Sequence, residues 1–142
     1  ASHYILWEYE EFIMRKGYTI GTIEIENEQI EHISPRTPTD GSPLEAGYDV
    51  DENNQYSEEF VSKYLNCLGN LMLISGSHNA SIGNKPFLEK LDSYNMNPLL
   101  NQQAEIKTFL VDNKIEWKQE SILKRRQAIL DFAFKRWGFD SI

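Results

Sequence analysis

The stretch Glu31-His32-Ile33-Ser34-Pro35 decides how this chain is interpreted. It follows a segment in which apolar and charged residues alternate, Thr22-Ile23-Glu24-Ile25-Glu26, and this pattern is typical of a strand. Proline has a fixed φ and no N–H, so the backbone is expected to leave the sheet at Pro35. A histidine beside a carboxylate at such a strand end can serve as a base next to a cation. The alternative is a surface His-Pro turn.

Two later segments favour the site over the turn. Leu68-Gly69-Asn70-Leu71-Met72-Leu73-Ile74 ends in a short apolar run that indicates a buried strand. Ser77-His78-Asn79-Ala80-Ser81-Ile82-Gly83-Asn84-Lys85 then begins a helix, with Asn79 in its first turn. Strand, His-bearing loop, strand and short helix together permit phosphodiester hydrolysis. In that chemistry a neutral imidazole deprotonates water, and a divalent cation held by hard oxygen ligands stabilises the developing charge.

Length and composition set the class of protein. The 142 residues are 40% apolar and 12% aromatic, which predicts one folded domain with a real core. A single cysteine, Cys67, excludes a disulfide framework and a cysteine-rich zinc site. No run is long and apolar enough for a membrane span and no signal peptide is evident, so no membrane partner is expected.

The charge distribution is more informative than the net charge of −8, which argues weakly against nucleic acid. Residues 1–113 hold 7 Lys/Arg against 18 Asp/Glu, whereas residues 114–142 hold 7 against 4. Half of the basic residues therefore lie in the last fifth of the chain. They form either the solvated face of a terminal helix or a phosphate-binding face.

The remaining patterns predict an α+β fold. We expect helices over 4–16, 57–65 (with Ser57 as N-cap), 78–84, 87–91, 99–111 and 120–137. Strands are expected over 18–26 and 71–74, a strand or turn over 29–35, a long polar loop over 36–56 and a loop over 94–98.

The order of these motifs resembles the HNH (His-Me finger, ββα-metal) nuclease motif. More narrowly, it resembles the C-terminal nuclease domain of GmrSD-type modification-dependent restriction enzymes. That family shows an E-H-I-x-P box, then L-G-N-L-x-L-[LI], then an asparagine nine residues after the box asparagine, then G-N-x-x-F-x-x-K and W-x4-I-x2-R. The matching elements here are residues 31–35, 68–74, Asn79, 83–90 and 117–125, and the resemblance covers roughly residues 4–137.

The resemblance implies a role for each residue of the motif. His32 would be the general base that activates water. Glu31 and Asn79 would ligate the metal, which would be Mg²⁺, with Mn²⁺ as the alternative. Asn70 would fix the His-bearing loop through its backbone. The implied fold is a ββα-metal core of short antiparallel strands, with its motif over 18–91, surrounded by helices that include the C-terminal pair over 99–137.

Lys85 and Arg125 are the candidates for substrate binding, through phosphate contact or by holding the acidic cluster. For Arg125 the alternative is a structural partner of a buried carboxylate or carbonyl. His78 has no place in the motif.

The resemblance further implies a metal-dependent DNA endonuclease in the bacterial cytoplasm, acting in restriction–modification and anti-phage defence. Residues 1–142 would be a single domain and the C-terminal part of a longer protein. A preceding ParB-like, nucleotide-hydrolysing sensor domain would select modified phage DNA, and oligomerisation would allow double-strand cleavage. The alternative, from another class, is a catalytically inactive helical docking or oligomerisation module with a vestigial motif.

Overall fold

The computed structural model describes residues 2–15, 28–37, 47–96 and 100–138. Within these segments the fold is α+β, with six α-helices and one two-stranded antiparallel sheet. The elements are α1 (Ser2–Arg15), β1 (Glu28–His32), α2 (Glu58–Phe60, continued by a π-helix over Val61–Leu65), a 3₁₀ turn (Leu68–Asn70), β2 (Leu71–Ser75), α3 (Gly76–Ile82), α4 (Phe87–Met96), α5 (Asn101–Glu105, continued by a 3₁₀ turn over Ile106–Phe109) and α6 (Gln119–Trp137).

The sheet lies at the centre of the chain. Strands β1 and β2 run antiparallel with His32 opposite Leu71 and Glu28 opposite Ser75. Helix α3 follows β2 without a loop, because the Ser75 hydroxyl accepts a hydrogen bond from the His78 amide at 3.2 Å and so caps the helix. The order strand, loop, strand, helix predicted from the sequence is therefore present. The predicted strand over 18–26 lies outside the described residues.

Strand β2 is buried along its whole length and separates two apolar clusters. Met72 and Ile74 pack into one cluster, whereas Leu71 and Leu73 pack into the other, as expected from the alternation of side chains along a strand. Helix α6 closes on the turn before β2 at Gly69, where an added Cβ would lie 2.0 Å from the carbonyl oxygen of Ile122. This close approach fixes the turn that carries Asn70.

Several helix boundaries differ from the prediction. Ser57 does cap α2, with its hydroxyl accepting from the Phe60 amide at 3.0 Å. The loop predicted over 94–98 is wrong for residues 94–96, because α4 continues to Met96 and Tyr94 is fully buried. The helix predicted over 99–111 is shorter, and its second half is a 3₁₀ turn that ends at Phe109. Of the predicted loop over 36–56, residues 38–46 lie outside the described segments.

Candidate active site

The segment after β1 is held by Asn70, the buried residue at the end of the 3₁₀ turn. Its side-chain Oδ1 accepts from the Ser34 amide at 2.8 Å, and its Nδ2 donates to the Ser34 carbonyl at 3.0 Å and to the Leu65 carbonyl at 2.9 Å. The indole N–H of Trp117 also donates to Oδ1, at 3.2 Å. All four hydrogen bonds of this amide are made within the protein, and the two to Ser34 position the segment that follows His32.

The four backbone carbonyls from His32 to Pro35 each accept a hydrogen bond from a side chain. Lys90 Nζ donates to the carbonyls of His32 and Ile33, at 3.0 and 3.1 Å. Asn70 binds the third carbonyl and the Tyr56 hydroxyl binds the fourth, at 2.7 Å. Since none of these carbonyls belongs to a helix, side chains from distant parts of the chain satisfy them instead. We call residues 32–35 the clamped loop.

Glu31 precedes the clamped loop and is only 4% exposed. Its Oε2 accepts from Lys90 Nζ at 3.3 Å and from the Tyr94 hydroxyl at 2.9 Å. Burial raises the pKa of Glu31 and lowers that of Lys90, while the opposite charge of each partner counteracts the shift. Burial, with the nearby Glu31 charge, raises the pKa of Tyr94 well above its usual value, so its hydroxyl remains a donor.

Neither of these hydrogen bonds involves Oε1 of Glu31. Glu31 also lines a cleft of about 500 Å³ at the end of the sheet, and Oε1 is the carboxylate oxygen that neither hydrogen bond occupies. His32 and Asn79 line the same cleft, so the structure brings together three of the four residues predicted for the catalytic and metal roles. The other lining residues are Ile30, Pro35, Arg36, Thr37, Gly83 and Asn84.

His32 is half-buried, and its ring is oriented by Asn66. Its Nε2 lies 2.8 Å from Asn66 Oδ1, and an amide oxygen can only accept, so Nε2 carries the proton and Nδ1 is the basic nitrogen. Burial lowers the pKa of His32, and the charges of Arg36 and Lys90 act in the same direction, against the Asn66 hydrogen bond. The imidazole is therefore neutral at pH 7, as a general base must be.

Asn79 faces the cleft from the first part of α3. Its Nδ2 donates to Gln29 Oε1 at 2.8 Å, which leaves its Oδ1 as the atom able to bind a cation. Glu31 Oε1 and Asn79 Oδ1 are hard oxygen donors of the kind that Mg²⁺ and Mn²⁺ take from proteins. In the described part of the chain no group of three or more His, Cys, Asp or Glu side chains could hold a metal ion. The donor set that fits a hard cation here is a mixed one, a carboxylate and an amide.

The two candidates for substrate binding lie elsewhere. Lys85 is exposed and does not line the cleft, although its neighbour Asn84 does. Arg125 is fully buried, and its guanidinium donates to the carbonyls of Leu68, Gly69 and Leu71 and to the side chain of Gln102. A buried guanidinium bound to carbonyls cannot reach a phosphate, so its placement corrects that assignment and fits the structural alternative. Among the described residues, Arg36 is the cationic side chain that lines the cleft.

Sequence reasoning missed several contributors to this site. Lys90 was part of a recognised motif, but nothing in the pattern indicated that its ammonium would be buried against the clamped loop. Lys90 and Tyr94 are four residues apart on α4, so they share one helix face, and this spacing is the signal that pairs them. Asn66 and Arg36 carry no such signal, since their contacts depend on the tertiary fold.

Comparison with protein families supplies an independent result. The family model described as GmrSD restriction endonucleases, C-terminal domain, matches residues 1–132 of the 142-residue chain. The chain belongs to this family. The resemblance seen in the sequence motifs is thereby confirmed, and family membership relates this GmrSD C-terminal domain to restriction endonucleases, whose substrate is DNA.

The other comparisons add no relatives. Neither the curated proteins nor the solved structures gave a match to this GmrSD C-terminal domain. In the described segments, no helix has the length and apolar character needed to cross a membrane.

Proposed function

We propose that this GmrSD C-terminal domain is a metal-dependent DNA endonuclease of the HNH (His-Me finger, ββα-metal) type, with its active site in the cleft at the end of the sheet. One observation carries the proposal: a neutral histidine, a glutamate and an asparagine line the same cleft. The order β1, clamped loop, β2 and α3 along the chain supports the ββα-metal part of the proposal.

His32 takes the proton in this mechanism. Its Nδ1 accepts a proton from water, whose oxygen attacks the phosphorus as the bond to the leaving oxygen breaks. Asn66 holds the opposite ring nitrogen at 2.8 Å, which fixes the ring and leaves Nδ1 as the nitrogen that can take the proton. The clamped loop fixes the backbone beside His32 through Lys90, Asn70 and Tyr56. Preorganisation of this kind spares the reaction the cost of ordering the base.

Glu31 and Asn79 would hold the metal through Oε1 and Oδ1. When bound, Mg²⁺ or Mn²⁺ supplies stabilisation of the negative charge on the phosphate and the leaving oxygen. Asn79 Oδ1 is oriented by the Gln29 contact, and Glu31 by Lys90 and Tyr94. The docking-module alternative does not require these side chains to line one cleft with a neutral histidine, so their shared place in the cleft supports the nuclease proposal.

The remaining parts of the proposal concern the whole protein. A ParB-like sensor domain before this chain would select modified phage DNA in the bacterial cytoplasm. A double-strand break needs two active sites, so linear product from a plasmid would require two copies of the chain.

Plasmid cleavage with Mg²⁺ or Mn²⁺ tests the proposal. We expect metal-dependent nicking by the parent, and a loss of about 10²–10⁴-fold in His32→Ala, the usual contribution of a general base. Asn79→Ala is expected to need a higher metal concentration. His78→Ala is the matched control, because His78 is also half-buried and neutral but hydrogen-bonds Ser93 outside the cleft. Equal loss in both histidine variants, or none in His32→Ala, would contradict the base assignment.

A further inference from the structure

We propose that the cleft binds the DNA phosphate before it binds the divalent cation, and that Lys90 imposes this order. The inference rests on the proposed function and adds to it. Free protein would bind the metal weakly, and the phosphodiester would complete the metal site by supplying the missing negative charge.

The first step of the argument is that the charge of Glu31 is already matched. Lys90 Nζ lies 3.3 Å from Glu31 Oε2, and the two side chains are 0% and 5% exposed. A metal at Oε1 would therefore bind a carboxylate whose charge is shared with an ammonium. The exposed pair of Lys63 and Glu59 has a similar separation, 3.4 Å, but lies in water, where screening makes it weak.

The second step is that Lys90 cannot turn away from an incoming cation. Its three hydrogen bonds to Glu31, His32 and Ile33 are 3.0–3.3 Å long and engage all three ammonium protons. Because the group is buried, the repulsion between it and a divalent cation is screened little by solvent. The three hydrogen bonds therefore hold the ammonium charge in a fixed position behind the metal position.

The third step is the charge of the cleft itself. Among its lining residues in the described part of the chain, only Glu31 and Arg36 carry a formal charge at pH 7. With Lys90 directly behind Glu31, the described residues at the cleft carry a balance of one positive charge. Such a site attracts an anion more readily than a cation. A bound phosphodiester adds one negative charge and oxygen ligands, and Mg²⁺ typically binds through one or two carboxylates together with substrate phosphates.

A calorimetric titration of Mn²⁺ into the full chain tests the order, with and without a duplex oligonucleotide and in the His32→Ala background to prevent cleavage. We expect the duplex to tighten Mn²⁺ binding by about tenfold or more, within the 5–150-fold range typical of coupled sites. By reciprocity, Mn²⁺ must tighten duplex binding by the same factor, which fluorescence anisotropy measures. In EDTA the duplex should still bind, and Arg36→Gln should weaken that binding.

Lys90→Met, compared with the parent at pH 8, tests whether the Lys90 ammonium causes this coupling. We expect it to tighten Mn²⁺ binding in the absence of DNA by about tenfold and to reduce the coupling, whereas the control Lys63→Met changes neither. Circular dichroism checks that the variant folds. Lys90→Arg provides a second variant that keeps the charge and should retain the coupling.

Equal Mn²⁺ affinity with and without DNA would overturn the inference, as would an unchanged affinity in folded Lys90→Met. These failures are distinct from failure of the proposed function. Metal-dependent nicking that needs His32, combined with Mn²⁺ binding independent of DNA, would leave the nuclease intact and remove only the binding order.

Discussion

Two fully buried cations, Lys90 on α4 and Arg125 on α6, make the same kind of contact with the backbone in two regions of the molecule. Each donates hydrogen bonds to successive backbone carbonyls at one end of a sheet strand. Lys90 binds the loop that follows β1, whereas Arg125 binds the turn that precedes β2. The two regions lie side by side, because β1 and β2 pair with His32 opposite Leu71.

The two regions differ in what else the cation touches. Lys90 is paired with the Glu31 carboxylate at the candidate active site, while the hydrogen bonds of Arg125 go to neutral oxygen atoms of the core. Lys90 therefore both holds the backbone of the clamped loop and contributes a positive charge to the candidate active site. Arg125 serves the fold, and through the turn at Gly69 it places Asn70. Substitutions at the two positions should separate these roles.

Arg125→Leu is expected to have the largest effect on stability. It leaves the carbonyls of the turn before β2 buried without a donor, so we expect the free energy of unfolding to fall by about 3–5 kcal/mol. Urea denaturation measures this. Arg136→Leu on the same helix is the control, since Arg136 is exposed and should cost less than about 1 kcal/mol. Equal effects at the two positions would show that burial of Arg125 contributes nothing.

Lys90→Met is expected to cost somewhat less, about 3 kcal/mol, because protonation of Glu31 can relieve part of the buried charge. A double-mutant cycle with Glu31→Gln should show clear coupling between the two residues. The same cycle on Lys63 and Glu59, an exposed pair, should give a coupling of about 0–0.5 kcal/mol. Additive effects of Lys90 and Glu31 would contradict the proposed pairing.

Tyr94→Phe removes one donor from Glu31 and leaves Lys90 in place. Hydrogen bonds to charged groups contribute about 1.5–3 kcal/mol, and we expect a loss near the lower end of that range because Lys90 remains as a donor to the same oxygen. Thermal unfolding at constant pH measures it. Tyr64→Phe is the control on the protein surface, where the hydroxyl accepts from Gln119. A loss in the control as large as that in Tyr94→Phe would refute the assigned role.

The smallest expected effect is the pH dependence of stability that His32 contributes. Because burial lowers the pKa of His32 in the folded state, the unfolded chain binds the proton more tightly. The contribution is therefore absent above the ordinary pKa near 6.5, and stability is lost as the pH falls from there through the folded pKa. Urea denaturation of the parent and of His32→Gln at pH 7.5 and 5.5 isolates it. A parent that loses no more stability than the variant would contradict the lowered pKa.

Local signals account for the parts that sequence reasoning predicted correctly. The apolar run of β2, the cap at Ser57 and the periodicity of α6 each depend on neighbours in the chain. The end of α4 was missed because Tyr94-Asn95-Met96-Asn97-Pro98 has loop composition, whereas burial of Tyr94 against Glu31 extends the helix.

The organisation of the site could not be predicted in the same way. The contacts of Lys90 with the clamped loop span 57 to 58 residues, and that of Asn66 with His32 spans 34. A lysine is expected at the surface, so its complete burial runs against composition and follows only from the acceptors that surround it. For Arg125 the sequence left phosphate contact open beside a structural role at a buried carbonyl, because its charge is visible in the sequence and its complete burial is not.

The pH dependence of single-turnover plasmid nicking by the parent and by His32→Ala tests the central claim most directly. The account predicts that the parent rate rises with pH to a plateau, with a midpoint below 6.5 because burial lowers the pKa of His32. His32→Ala should lose both about 10²–10⁴-fold in rate and this rise. A variant that retains the parent rate and the same pH profile would contradict His32 as the general base.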